Sequence, residues 1–374
     1  MTIGSAPVVV LQQLYICSFY HFKSELMINH TIRYTIALIL ASAFCSCEKS
    51  DAGRVFSSRN NYETDAVSPS GSKDKTIKDQ PRLDTGLFNK LQLHLVHGRA
   101  DAKWPVKASY PLPGAILPFK RIVAYYGNFY SKGMGILGAL PEEQMLCSLQ
   151  QEVRNWEQAD PLIPVQPALH YIAVTAQRSP GPGYKYRLRM PEHQINKALE
   201  QAKKIGAIIF LDVQIGHSSL QEELPALEPF LKLPHVHLGI DPEYSMKGGQ
   251  VPCTKIGTYD AADINYATAY LSDVVKKYRI PPKILVVHRF TKDMVTNYRQ
   301  INLCPEVQIV VNMDGFGFPA KKISSYQIAV STEPVQFAGF KIFYKNDKLT
   351  APYRLMTPQE VLNLFPSPIY IQYQ

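Results

Sequence analysis

No segment of this sequence carries the roughly 20 consecutive apolar residues that a membrane-spanning helix needs. Cysteine is scarce, six in 374 residues, and no CxxC pair occurs, which excludes a zinc ribbon and a dense disulfide framework. No H-E-x-x-H spacing offers the paired ligands of a metalloprotease helix, so the sequence by itself nominates no metal site. The net charge of +9 is spread along the chain, and its densest basic pairs, Lys203-Lys204 and Lys276-Lys277, fall on amphipathic helical patterns. Without a basic stripe interleaved with aromatics, no nucleic-acid partner is expected.

What is present begins with the N-terminal segment. Arg33 precedes the apolar run Tyr34–Phe44, which leads into Cys45-Ser46-Cys47. The run has the length of a signal-peptide core. A cysteine at the cleavage site resembles a bacterial lipoprotein signal, with Cys47, after the small Ser46, as the residue that would be lipidated. The expected layout is an N-terminal extension over 1–26, a signal peptide over 27–47 and a polar tether over 48–83. A lead-in segment over 84–120 then precedes the main domain, 121–374. The implied location is exported, in the cell envelope, with the membrane reached through the lipid anchor. Cys147, Cys253 and Cys304 read as buried thiols that act as small hydrophobes.

From residue 121 onward, apolar β-rich runs alternate with helical patterns. Eight runs stand out: 121–127, 168–175, 207–214, 236–241, 283–290, 307–314, 326–331 and 337–344. Near-continuous apolar runs suit a parallel sheet covered on both faces. Between them, "PEEQMLCSLQQEVRNW", "PEHQINKALEQAKKIG" and "DAADINYATAYLSDVVKKYRIPP" place apolar residues at helical spacing and carry helix-end signals. Thr357-Pro358-Gln359-Glu360 reads as a capping box. Eight strands over this length predict an α/β (β/α)8 TIM-like barrel, with reduced helices after strands six and seven.

Residues 133–138, "GMGILG", match G-x-G-x-x-G. A dinucleotide site needs those glycines directly after the first strand and an acid at the end of the second. Here five residues intervene and the second run ends in Thr175-Ala176-Gln177, so no cofactor is implied and the segment reads as a mobile loop at the barrel mouth.

In such a barrel the site lies at the C-terminal ends of the strands. Those ends supply Tyr125, Tyr126 and Asn128; Asp212, Gln214 and His217; Asp241 and Glu243; His288 and Arg289; Asn312 and Asp314; and Lys341 and Tyr344. Alternation along a strand puts Asp212 with Gln214, Asp241 with Glu243, and Asn312 with Asp314 on common faces. His170, His235 and His237 lie within or before strands and read as structural. Several carboxyls converging on one mouth suit acid/base chemistry, because two neighbouring carboxyls resist joint ionisation and one stays protonated. Glycosidic cleavage needs that arrangement. The expected catalytic set is Glu243, Asp241, Asp212 and Asp314, and the remaining strand-end residues would contact a glycan or other small polar substrate. Open alternatives are a non-catalytic glycan-binding barrel and a metal- or histidine-dependent phosphodiesterase using His217 and His288.

"VAYYGN" in the first run and Asp241-Pro242-Glu243 after the fourth resemble the chitinase-like glycoside hydrolases of family 18 and, more loosely, the lysozymes of family 25. The family-18 fourth strand ends D-x-x-D-x-D-x-E, and the resemblance implies an acid role for Glu243 and a substrate-orienting role for Asp241. The earlier acid positions hold Val236 and Gly239, and the sixth strand has Met313-Asp314 without the family's tyrosine. The whole chain also resembles bacterial lipoproteins.

Overall fold

The computed structural model describes residues 82–374. The signal segment, Cys47 and nearly all of the tether lie outside the described residues. Eight parallel strands close into a barrel: β1 Arg121–Gly127, β2 Val165–Ala176, β3 Ile208–Val213, β4 Val236–Ile240, β5 Lys283–His288, β6 Val307–Met313, β7 Phe337–Ile342 and β8 Tyr370–Tyr373. Each strand pairs with the next, and the ring closes where β1 meets β8, with Ile122 opposite Tyr370 and Tyr125 opposite Tyr373. A short antiparallel strand, Arg187–Arg189, adds to the end of β2.

Between the strands run α2 Glu142–Ala159, α3 Glu192–Lys204, α4 Leu220–Leu231, α5 Ala261–Tyr278, α6 Pro319–Tyr326 and α7 Pro358–Leu362, after a leading helix α1, Thr85–Leu95. α5 begins in a capping box made by Asp260 and Asp263, and α4 begins with the Ser219 side chain accepting from Glu222 N. The helices after β6 and β7 are short, eight and five residues. No helix among the described residues is long and apolar enough to cross a membrane.

Two strand assignments need correction. Residues 326–331 are not a strand: they run from the last residue of α6 into a π-helical turn, Gln327–Ser331. Their buried residues are Tyr326, Ala329 and Val330, spaced three and four apart, while Ile328 is exposed, which is a helical rather than an alternating pattern. The run 337–344 therefore contains the seventh strand, and the C-terminal "YIQY" is the eighth.

The barrel separates two apolar layers. Alternate strand residues such as Val123, Leu169, Leu211, Leu238 and Ile309 pack outward against the helices. The inward set includes Ile122, Ala124, Ala168, Phe210, Ile284, Val286 and Val310, and Phe88, Leu91 and Leu95 of α1 belong to the same cluster, at the N-terminal end. Towards the C-terminal ends the inward positions turn polar, and this change positions the site.

The cysteines are not three buried thiols. Cys147 is exposed, Cys304 is half-buried and Cys253 is disulfide-bonded. "GMGILG" packs down rather than forming a free flap: at Gly135, φ +143°, a Cβ would lie 2.2 Å from the Tyr126 carbonyl oxygen. Only glycine permits that approach to the end of β1.

The capping box of α7 gives a simple check on local structure. Glu360 N donates to Thr357 Oγ1 at 3.3 Å and Thr357 N donates to Glu360 Oε2 at 2.9 Å. Thr357→Ala is expected to cost about 1 kcal/mol. Urea unfolding would show it as a lowered midpoint with an unchanged slope.

Candidate active site

The site grows from inward residues of six strands and from the turn after β4. Tyr126 of β1 donates its hydroxyl to Asp212 Oδ2 of β3 at 2.9 Å, and Gln214 Nε2 donates to the same hydroxyl at 3.3 Å. Gln214 is oriented in turn by Ala176 N, which donates to its Oε1 at 3.1 Å. The other oxygen, Asp212 Oδ1, lies 3.2 Å from His170 Nε2 of β2 and 3.3 Å from His288 Nε2 of β5. His288 Nδ1 lies 3.1 Å from Asp314 Oδ2. The ammonium of Lys341, from β7, sits 3.8 Å above the Tyr126 ring. Beneath them, His170 Nδ1 meets Tyr370 Oη at 2.6 Å and Gln372 Nε2 at 3.0 Å.

Strand alternation ends one residue earlier than the sequence suggests. β4 stops at Ile240, and Pro242–Tyr244 form a 3-10 turn capped by Asp241, whose Oδ1 accepts from Glu243 N at 3.0 Å. Asp241 and Glu243 are therefore not successive residues on one strand face. Proline cannot continue the ladder, and the turn it opens lifts Glu243 to the rim. Asp241 is buried while Glu243 is only partly covered.

Electrostatics divide these groups into two kinds. Burial alone would raise the Asp212 carboxyl, but the His288 charge and the contacts from both histidines outweigh it and hold Asp212 well below the carboxylate range. Burial would likewise lower His288, yet Asp212 and Asp314 push it up to about 10. His170 falls to about 4, chiefly because it is buried. Asp241 rises to about 7, through burial and through repulsion from Asp314 and Asp212. Glu243 is pushed well above the usual range by desolvation and by Asp241 and Asp314. Lys341 is lowered by burial against the pull of the surrounding acids. An ionised Asp212 thus sits below a rim carboxyl that keeps its proton.

Several nominated residues lie elsewhere. Tyr125 and Tyr344 face the helix layer, joined hydroxyl to hydroxyl at 3.0 Å, and Tyr344 donates to Glu152 Oε1 at 2.8 Å. Asn128 braces the first loop, donating to the Ile172 carbonyl and accepting from Tyr130 N. Arg289 is buried and spends its donors on the carbonyls of Thr291, Lys292, Val295 and Ala329 and on Glu333. His217 stacks near Tyr186 and contacts the Gln250 carbonyl at 2.7 Å, so it belongs to a neighbouring loop contact. Asn312 points into the barrel toward Gln372, at 3.5 Å. His170, read from the sequence as structural, instead touches Asp212; Tyr370 and Gln372 were missed with their strand. His237 is structural, accepting from Ile284 N at 3.1 Å.

The architecture and site together define a (β/α)8 barrel with a buried acid–histidine–lysine cluster at its C-terminal mouth. No protein-family model matches the chain, and no curated protein matches it. Among solved structures it is similar to a ruminal GH26 endo-β-1,4-mannanase, with a TM-score of 0.33 and 10% identity. That match covers 68% of this chain and 58% of the mannanase, less than two thirds of its length. At that score the likeness adds nothing to the strand topology.

Proposed function

We propose that this barrel is a glycoside hydrolase-like enzyme that cleaves a glycan by carboxyl acid/base chemistry, with Glu243 as the general acid. The observation that carries the reading is the state of Glu243. The residue is partly exposed where Asp212, Asp241 and Asp314 are buried, and burial of its carboxyl beside Asp241 and Asp314 favours the protonated form, as a group that protonates a leaving oxygen requires. Asp241 holds the turn and is its electrostatic partner. Asp314, 8% exposed, suits the second carboxylate better than Asp212, which is fully buried behind Tyr126, His170 and His288. Of the family-18 pattern only the Asp241–Glu243 pair is present, so the proposal adopts its acid assignment and leaves aside its substrate-orienting role for Asp241.

The proposal includes an exported protein held in the cell envelope through a lipid on Cys47. It is supported by the apolar run Tyr34–Phe44 and by Ser46-Cys47. Mass analysis of the mature N-terminus tests that part.

The chemistry is tested by measuring reducing-end release from a panel of bacterial and host polysaccharides across pH. Asp241 rises to about 7, Glu243 is held well above the usual carboxylate range, and the acid works in its protonated form. kcat/KM is therefore expected to hold through acid pH and to fall only on the alkaline side, as Glu243 gives up its proton. Saccharide binding without release at any pH would instead identify a glycan-binding barrel.

A further inference from the structure

Three atoms at the centre of the barrel end converge at ion-pair distance of Asp212 without a well-formed hydrogen bond among them. His170 Nε2, Asp212 Oδ1 and His288 Nε2 lie within 4.8 Å of one another, on three side chains that are 0% exposed. None of the three makes a hydrogen bond of acceptable geometry. Buried polar atoms left in that condition are costly and uncommon, and they call for a missing partner. We infer that the partner is a divalent transition-metal ion of the zinc class, held by these three atoms with a fourth position left for water or substrate.

The spacing fits. Zinc bonds to nitrogen and carboxylate oxygen of about 2.0–2.1 Å in a tetrahedron imply ligand–ligand edges of about 3.3–3.4 Å. The two observed edges that meet at Asp212 Oδ1 are 3.2 and 3.3 Å. Two imidazoles and one carboxylate, without thiolate, suit zinc and its first-row neighbours, whereas calcium and magnesium favour all-oxygen sets.

The far sides of Asp212 and His170 are held by hydrogen bonds, as metal ligands generally are, while that of His288 faces a carboxylate without a well-formed hydrogen bond. Asp212 Oδ2 accepts from Tyr126 Oη, His288 Nδ1 faces Asp314 Oδ2, and His170 Nδ1 meets Tyr370 Oη. Space is kept as well: a Cβ on Gly239 would sit 2.4 Å from His170 Nε2 and 2.5 Å from Asp212 Oδ1. The charges around the three ligands are Asp241, Glu243, Asp314 and Lys341.

The inference goes beyond the glycan reading and does not rest on it, so its test reads metal directly. The full chain is stripped with a chelator, exchanged into cobalt(II) or zinc, desalted and analysed by elemental mass spectrometry and visible absorption. Near-stoichiometric uptake with the intense d–d bands of four-coordinate cobalt is expected. Tyr126→Phe removes only the hydroxyl that holds Asp212 and should weaken zinc binding by about 10–100-fold. His217→Ala, on a neighbouring loop, should leave binding unchanged. No retained metal, a weak octahedral cobalt spectrum, or binding lost with His217 and indifferent to Tyr126 would each overturn the site and leave a proton-only network.

Discussion

Glu243→Gln is expected to lower kcat on a natural glycan by about 10²–10⁴-fold, the usual contribution of a general acid. The amide has nearly the same shape but cannot deliver a proton to a leaving oxygen. Glu243 already keeps its proton against Asp241 and Asp314, so a neutral amide replaces a neutral acid. The unfolding free energy should therefore stay within about 0.5 kcal/mol of the parent, the usual range for substitutions that disturb no special feature. The backbone bond from Glu243 N to Asp241 is retained in the variant, so the turn should hold. A substrate whose leaving group needs no protonation, such as a nitrophenyl glycoside, should lose much less rate than the natural glycan. That split separates a general acid from a residue that merely shapes the mouth. Equal turnover of the natural glycan by variant and parent would remove Glu243 from the mechanism.

How far the sequence discloses this site follows from where each side chain sits. β1 to β6 are legible because strands covered on both faces read as continuous apolar runs, and six such runs mark them. β8 is not, because "YIQY" is only four residues long, is interrupted by the inward Gln372 and follows Pro366 and Pro368. α4 is hidden in the same way by Pro225 and Pro229 within it. In the site, alternation correctly joins Asp212 to Gln214 through Tyr126. The same rule separates Tyr125, which faces the helices, from Tyr126, which faces the cluster. It would also have found His170, whose register partner on β1 is Tyr126. It fails after Ile240, where Pro242 turns the chain and the geometry depends on a local cap. Arg289 shows a further limit: a basic residue next to the site residue His288 looks functional until its partners prove to be backbone carbonyls and Glu333, away from the cluster.

Asp160→Ala is expected to destabilise the protein by about 3–5 kcal/mol, the cost of breaking a buried ion pair from one side. Arg121, at the start of β1, is 0% exposed and donates through Nη1 to Asp160 Oδ2 at 2.9 Å and through Nε to the Pro368 carbonyl at 3.3 Å. The pair thus joins the segment after α2 to the approach of β8, where the barrel closes. Burial pulls the Arg121 guanidinium down, and Asp160 opposes that shift, so deleting the carboxylate leaves a buried cation with no acid against it. Arg121→Met added to Asp160→Ala removes the stranded charge and should recover most of the loss, which a double-mutant cycle in urea would measure. The pH dependence has a definite sign. For Asp160, burial acts upward but Arg121 and His94 outweigh it, so the folded carboxyl titrates below its unfolded value. Its stabilisation is complete above an unfolded pKa of about 3.9 and fades as pH falls through the lower folded value. The gap between parent and Asp160→Ala should therefore be widest near neutrality and narrow in acid. Because the pair lies at the N-terminal end of the barrel, a folded variant should keep the parent's KM. A gap that grew toward acid, or a double variant no more stable than the single one, would show that the pair does not hold the closure.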